Sequence, residues 1–190
     1  MDGHTTLAIV VVLGALLVIF FAVGIAHAHR SRKLRARFAA AEYDRTVKTV
    51  GHRRKAEAQL QQREKRVRGF ALTALSQRDR EAFVSEWSHT QAQFVDAPEQ
   101  AVTHADQLMG RVMAARGYPM SDFDQQSADL SVDHPAVIEN YRTAHDIAVR
   151  HAKGEATTED MRQAIIHYRG LFEELVEPVA AETRVPEPVR

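Results

Sequence analysis

The chain has 190 residues, 45% of them apolar, and its 25 Lys and Arg balance its 25 Asp and Glu, so the formal net charge is zero. This composition excludes a wholly disordered polymer, and the length predicts one ordinary domain or a small domain with an accessory segment. The absence of cysteine excludes a disulfide framework, a thiolate metal site and a cysteine nucleophile.

The N-terminal segment predicts a transmembrane helix over residues 5–28. No charged residue occurs between Thr5 and Ala26, and the run LAIVVVLGALLVIFFAVGIA is almost wholly apolar. These 22 residues would span roughly 33 Å as a helix, enough to cross a hydrocarbon core of about 30 Å. A helix also satisfies its own backbone hydrogen bonds in lipid. The residues that we expect inside the bilayer include Thr5, Leu7, Val12, Leu17, Phe21 and Ala26.

The residues that flank this run favour a permanent anchor over a cleaved signal peptide, although Ala26-His27-Ala28 fits a small-x-small cleavage site. Residues 1–4 carry no Lys or Arg, and the apolar run is longer than the core of about 7–15 residues that signal peptides have. The five cations between Arg30 and Arg37, which follow the apolar run, resist translocation across the membrane. The positive-inside rule therefore predicts an inner-membrane protein with residues 1–4 on the extracytoplasmic side and the residues after 28 in the cytoplasm. The cations that we expect at the lipid headgroups are Arg30, Arg32, Lys33, Arg35 and Arg37.

Charge is divided unevenly between a basic juxtamembrane stalk, residues 29–69, and an acidic domain, residues 70–177. Residues 30–68 hold 14 Lys and Arg against 4 Asp and Glu, a net of +10, whereas residues 69–190 have a net of −9. The stalk is expected to contact anionic lipid near the headgroups. Its second cationic group, from Arg53 to Arg68, would lie up to roughly 60 Å away if the stalk were one straight helix. That group is either a further lipid contact or a solvated helix face.

The stalk pattern predicts short helices and no strong zipper, because its apolar stripes slip in phase and Gly51 interrupts them. Ala22 and Ala26 form a small-xxx-small pair, which leaves a weak homodimer open. Nucleic acid is not expected as a partner, since the cations lack interleaved aromatic residues and a reader motif.

The acidic domain predicts a small bundle of four main helices and one short helix. Ser76 is expected to cap the first helix, and Pro98 to open the second, which ends at Gly117. A short helix is expected over residues 121–130. Asp133-His134-Pro135 reads as the start of the next helix, and Thr157 or Thr158 as the cap of the last. Residues 178–190 are expected to form a disordered tail.

Apolar stripes at helical spacing predict which side chains form the core of this bundle. The expected positions are Phe83, Trp87, Thr90 and Phe94, then Ala101, Val102, Ala105, Leu108, Met109, Val112 and Met113, then Val137, Ile138, Tyr141, His145, Ala148 and Val149, and last Met161, Ile165, Tyr168, Phe172 and Leu175. No segment alternates as a strand does. The predicted fold class is therefore all-α: one N-terminal transmembrane helix, a basic helical stalk and a small helical bundle.

The ten histidines invite a metal or catalytic hypothesis, which the spacing does not favour. Glu86-x-x-His89 is the single Glu-x-x-His motif, whereas a di-iron bundle needs two. His134, His145 and His167 are expected to be structural, with His145 on the apolar stripe. No phosphate loop, nucleophile elbow or zinc motif is present. We therefore predict no catalytic residue, no metal ligand and no cofactor.

Several short stretches resemble a family of uncharacterised bacterial proteins that have one N-terminal membrane helix and a C-terminal helical domain. The resemblance covers most of residues 30–177 and implies the same layout, with no known activity to transfer. Such proteins are expected to have Gly-Pro after Phe38, where this chain has Ala39-Ala40. The stretches that carry the resemblance are Phe38 with Glu42-Tyr43-Asp44-Arg45, Gln93-Phe94-Val95-Asp96, Arg116-Gly117-Tyr118-Pro119, residues 129–135, Tyr141-Arg142, Ala144-His145, Thr158-Glu159-Asp160 and His167-Tyr168-Arg169.

These features predict a membrane-anchored docking or scaffold module with an unknown protein partner. The first alternative is a novel enzyme or metal-binding domain that uses His134 and His145, or Glu86 and His89. The second is a lipid-regulated domain in which the acidic bundle folds onto the basic stalk.

Overall fold

The computed structural model describes residues 3–177, and every regular element among them is a helix, which confirms the predicted all-α class. The helices are α1 (Gly3–Arg37), α2 (Ala39–Val50), α3 (Arg53–Val67), α4 (Gln77–Gln93), α5 (Pro98–Ala115), α6 (Phe123–Asp133), α7 (Ile138–Ala152) and α8 (Thr158–Val176). The chain divides into two compact units, Met1–Gln61 and Gln62–Arg190. The second unit begins inside the segment that the charge pattern assigned to the stalk. The expected tail, residues 178–190, lies outside the described residues.

Helix α1 joins the apolar run to the first cations without a break. Among the residues that the structure describes, no helix meets the length and hydropathy required to cross a membrane. The side chains of Thr5, Leu7, Val12 and Ala26 lie outside the described residues. Leu17 and Phe21 are described, and they are 59% and 60% exposed.

The N-terminal unit folds back on itself at two sharp turns. At the first, the Phe38 N–H donates to the Leu34 carbonyl at 3.0 Å, and Ala39 takes a left-handed φ of 53°. At the second, Gly51 has a φ of 75°, and its N–H donates to the Val47 carbonyl. The stalk is thus made of short helices, as its broken pattern predicted. Among the described residues, the buried apolar side chains of this unit are Leu34, Phe38, Tyr43, Ala56 and Leu60.

The C-terminal unit is a bundle in which α8 packs against α4, α5 and α7. The expected stripe of α5 is entirely buried, as are all five predicted core residues of α8. Trp87 of α4 stacks on Phe172 of α8, with ring centroids 4.9 Å apart. These contacts close one apolar core of the kind that a helical bundle requires.

Two helix caps are found at predicted residues. The Ser76 hydroxyl accepts from the Asp79 N–H at 3.1 Å at the start of α4. Thr157 and Asp160 form a capping box at the start of α8, in which each side chain accepts from the other's backbone N–H. Each cap satisfies N–H groups that the first helical turn leaves without partners.

The predicted start of a helix at Asp133-His134-Pro135 is wrong. Asp133 is the last residue of α6 and His134 is its C-cap, whose N–H donates to the Leu130 carbonyl at 2.8 Å. Helix α7 starts later, at Ile138. The Asp-His-Pro pattern misled because proline disfavours helical geometry in the residue before it, here His134, so the same sequence can mark the end of a helix.

The predicted stripe of α7 is also wrong in part. Ile138 and Tyr141 are buried as expected, but Val149 is 39% exposed. Ala144 and Ile147 are buried in its place. The buried residues Ile138, Tyr141, Ala144 and Ile147 follow a spacing of three residues, whereas the predicted stripe used longer steps toward the end of the helix.

Candidate functional site

A cationic groove lies between the end of the apolar part of α1 and the first turns of α3. Its volume is about 530 Å³. The groove is lined by Gly24, Ala28, Arg30 and Ser31 of α1 and by Arg53, Arg54, Glu57, Ala58 and Gln61 of α3. Three guanidinium groups and one carboxylate therefore meet within the N-terminal unit. The fold-back of the stalk brings Arg53 and Arg54 beside Gly24, about thirty positions earlier in the sequence.

Glu57 organises the floor of the groove. Its Oε1 atom accepts from the Ser31 hydroxyl at 2.6 Å, the Tyr43 hydroxyl at 2.6 Å and the Arg53 Nε at 3.0 Å. Partial burial would raise the pKa of Glu57, but these three hydrogen bonds and the charge of Arg53 outweigh it and lower that pKa below its usual value. Glu57 is therefore an anion that fixes Arg53 in place.

The cations predicted to meet headgroups are placed differently from one another. Arg30 lines the groove and donates to the Gln61 side chain. Arg35 pairs with Asp44 of α2 at 2.8 Å on an exposed surface, whereas Arg32 and Lys33 are exposed on α1. Arg37 is also exposed, at the last residue of α1. From the sequence, Arg53 and Arg54 could be either lipid contacts or part of a solvated helix face. Only the fold-back, which the sequence did not predict, brings them to α1.

A second polar network lies in the bundle, around Asp106 of α5. Its Oδ1 atom accepts from the Tyr168 hydroxyl at 2.6 Å and lies 3.2 Å from His145 Nδ1. The imidazole of His145 stacks on Phe123, with centroids 3.6 Å apart. His145 thus meets a carboxylate at its edge and an aromatic ring on its face, as a structural histidine on a core stripe would.

Burial and hydrogen bonding shift the pKa values in this network in opposite directions. Burial, followed by the charge of Asp106 and the hydrogen bond to it, raises the pKa of the Tyr168 hydroxyl far above its usual value. Burial would also raise the pKa of Asp106, but hydrogen bonds from His145 and Tyr168 outweigh it, so the pKa of Asp106 lies below its usual value. The network is therefore built around an ionised Asp106.

His134 belongs to a different set of contacts. Its Nδ1 lies 3.2 Å from Glu174 of α8, and its ring is tilted against Tyr118 with centroids 6.3 Å apart. Its Nε2 is buried and has no hydrogen-bond partner among the described residues. His134 and His145 therefore do not converge on one pocket, which the enzyme alternative required.

The Glu86 and His89 pair is not brought together as a metal site. Glu86 forms an ion pair with Arg111 of α5, and His89 is exposed on α4. His167 is half-buried on α8. No group of three or more His, Asp and Glu side chains suited to a metal ion occurs in the part of the chain that the structure describes.

The end of the basic stalk is part of the bundle unit through a buried carboxylate. Asp129 of α6 is almost fully buried, and its two oxygens accept from Arg66 Nε at 3.1 and 3.2 Å. Gln125 also donates to Asp129, at 2.8 Å. Sequence reasoning missed this pair, since an Asp on a short helix gives no sign of burial before its partner is known.

Comparison with known proteins adds no identification: no protein-family model, curated protein or solved structure matches the chain.

Proposed function

We propose that the chain is a single-pass membrane protein that holds a helical docking module at the cytoplasmic face of the inner membrane. In this proposal residues 5–28 cross the bilayer, the N-terminal unit meets anionic headgroups, and the bundle presents its folded surface to a protein partner. The observation that carries the proposal is the fold-back of the stalk, which gathers Arg53 and Arg54 beside Arg30 at the end of the apolar run. Each cation near an anionic surface contributes about 1 kcal/mol to binding.

The exposed apolar side chains of α1 support the membrane part of the proposal. Large hydrophobic residues stand exposed on its described surface, and a contiguous patch of this kind marks a membrane or protein contact. They are Leu13, Leu17, Val18, Phe20, Phe21 and Ile25. The cations that follow on the same helix favour lipid over a protein groove as the contact.

The pairing of polar groups in the bundle supports docking over catalysis. Glu86 pairs with Arg111, His134 with Glu174, and His145 with Asp106, so the candidate catalytic groups occupy three separate places. A catalytic site needs a nucleophile or base and its partners directed at one reacting atom. The docking module is therefore the function that these contacts favour.

The anchor is tested by extraction and by labelling, and the cysteine-free sequence makes the labelling specific. Membranes from cells that express the full chain are washed with alkaline carbonate, and single cysteines at Asp2 and at the exposed Lys153 are offered an impermeant maleimide. We expect the chain to stay in the pellet, Asp2→Cys to react in intact cells, and Lys153→Cys to react only after lysis. Release by carbonate, or reaction of Lys153→Cys in intact cells, contradicts the proposal.

A second candidate is the lipid-regulated form, in which the bundle competes with lipid for the stalk. The Arg66 and Asp129 pair favours it, because the bundle unit already neutralises one stalk cation. Under this candidate, residues 30–69 alone bind anionic vesicles more tightly than residues 30–190 do, and the difference falls with added salt. Equal binding by the two fragments would remove it.

A further inference from the structure

We infer that the groove between α1 and α3 is a binding site for a phosphate group, carried either by an anionic phospholipid or by free phosphate. The groove combines Arg30, Arg53 and Arg54 with the amide of Gln61. The inference rests on the proposed function only for the source of the phosphate.

The charge of the groove favours a single anion. Three guanidinium groups face one carboxylate, which leaves a formal charge of +2. Glu57 is held by Ser31, Tyr43 and Arg53, so it neutralises Arg53 and leaves Arg30 and Arg54 without a carboxylate partner among the described residues. Arginine is suited to phosphate because its planar fork offers two parallel N–H donors to two phosphate oxygens.

The backbone adds to the same preference. Helix α3 begins at Arg53, and Arg53 and Arg54 of its first turn line the groove. The first N–H groups of a helix have no intrahelical partner, and the helix dipole places positive charge there. An anion at this end is therefore favoured by fixed dipoles as well as by side chains.

The wall formed by α1 leaves room for the ligand. Gly24 has no side chain and Ala28 has only a methyl group, and a Cβ added at Gly24 would meet no atom within 4 Å. Both residues lie near the predicted end of the membrane helix, one turn apart. A phosphate in the groove would therefore stand at headgroup depth, with its glycerol and acyl chains directed along α1.

Two adjacent residues of α3 provide a matched test. Arg54 lines the groove and is exposed, whereas Lys55 is exposed and does not line it. Arg54→Gln and Lys55→Gln remove the same charge from neighbouring positions, so a general electrostatic effect would be equal in both. Neither side chain forms an ion pair among the described residues that its loss would break.

The purified full chain, in neutral detergent, is titrated with phosphatidylglycerol, phosphatidylcholine and inorganic phosphate, and bound ligand is counted by native mass spectrometry. We expect phosphatidylglycerol or inorganic phosphate to bind, and the one that binds identifies the source. We expect Arg54→Gln to weaken that binding about fivefold, equivalent to ~1 kcal/mol, and Lys55→Gln to leave it unchanged.

Two results would overturn the inference. One is equal weakening by the two variants, which would mean that only overall charge matters. The other is the absence of binding by both phosphatidylglycerol and inorganic phosphate, or binding of phosphatidylcholine as tight as that of phosphatidylglycerol. Because the titration is done in detergent, these results are independent of the carbonate and labelling tests of the anchor.

Discussion

Gly117 shows how one residue fixes the loop between α5 and α6 against the segment that precedes α4. Its φ is +92°, and a Cβ built on it would lie 2.5 Å from the Ala71 carbonyl oxygen. The neighbouring Arg116 carbonyl accepts from the Thr73 N–H at 3.0 Å, so the two segments are tied by backbone contacts on both sides. The sequence predicted a helix-ending glycine here, but not the close approach of Ala71.

Gly117→Ala is therefore expected to lower the free energy of unfolding of the bundle by about 2–4 kcal/mol, from the left-handed backbone and the displaced carbonyl together. Unfolding in denaturant, followed by the fluorescence of the single Trp87, measures it on the full chain in detergent. Gly110→Ala in α5 is the control, because a Cβ there meets no atom within 4 Å. It is expected to raise stability by about 0.5–1 kcal/mol. A loss at Gly110 equal to that at Gly117 would contradict this explanation.

The hydrogen bond from Tyr168 to Asp106 makes a contribution to stability that one substitution can measure. Tyr168→Phe keeps the buried ring and removes the hydroxyl that lies 2.6 Å from Asp106. We expect a loss of about 1–2 kcal/mol in the free energy of unfolding, because the acceptor is charged. Tyr141→Phe is the control, since the Tyr141 hydroxyl has no hydrogen-bond partner within residues 3–177. Equal losses in the two variants would show that the bond to Asp106 contributes nothing.

The lowered pKa of Asp106 also predicts a pH dependence. A carboxyl group with a pKa below its unfolded value contributes stability that is complete above the unfolded pKa, and that stability is lost as the pH falls through the folded pKa. The window therefore lies below about pH 4. We expect the stability of the wild type to fall more steeply there than that of Asp106→Asn. Denaturant unfolding at a series of pH values tests this, and parallel curves would contradict it.

For single residues, the sequence predicted that His145 lies on a core stripe, but it did not predict that Asp106 is its partner. Asp106 sits at the edge of the α5 stripe, next to Ala105, and an acidic residue at such an edge is usually solvated. Its role follows only from the packing of α8 and α7 against α5, which brings Tyr168 and His145 to it. Spacing along one helix carries no information of this kind.

The turn between α1 and α2 is the element that determines the shape of the N-terminal unit. Ala39 adopts a φ of 53°, which costs an L-residue about 1–2 kcal/mol and costs glycine little. Glycine would accept the left-handed conformation at position 39, and proline would fit the first helical turn at position 40. The sequence did not predict this turn, because Ala39-Ala40 contains neither glycine nor proline, whereas Gly51 marked the next turn clearly.

Ala39→Gly is expected to stabilise α2 by about 0.5–1 kcal/mol, since relief of the left-handed strain exceeds the entropy that glycine loses. Hydrogen exchange of α2 amides in the full chain should then slow about two- to fivefold. Ala41→Gly, at an exposed position inside α2, is the control and is expected to speed the same exchange. Faster exchange in Ala39→Gly would mean that the turn carries no strain.

The helices of the bundle were the easiest elements to predict, and their ends were the hardest. The stripe of α5 was predicted residue by residue because all its apolar positions face one core. The prediction of the boundary between α6 and α7 was wrong because Asp133-His134-Pro135 can occur at either end of a helix. The structure resolves this through the bond from the His134 N–H to the Leu130 carbonyl, which continues α6 to that point.

Across the whole molecule, the charge pattern predicted a basic segment followed by an acidic one, but not the path of the basic segment. A straight stalk would carry its second cationic group far from the first, where lipid fields have decayed. The fold-back instead places Arg53 and Arg54 in the same groove as Arg30. Turn geometry at Ala39 and Gly51 decides between these paths, and charge counting does not detect it.

The most direct test of this account measures the distance between residues 28 and 58 in the full chain. Ala28→Cys and Ala58→Cys introduce two exposed labelling sites into a cysteine-free sequence, and both positions line the groove. Pulsed electron resonance on spin labels in vesicles containing anionic lipid then gives the separation. Because the fold-back brings both residues to one groove, we expect a short distance with a narrow distribution. A separation near the roughly 45 Å expected of thirty residues in one straight helix would contradict it.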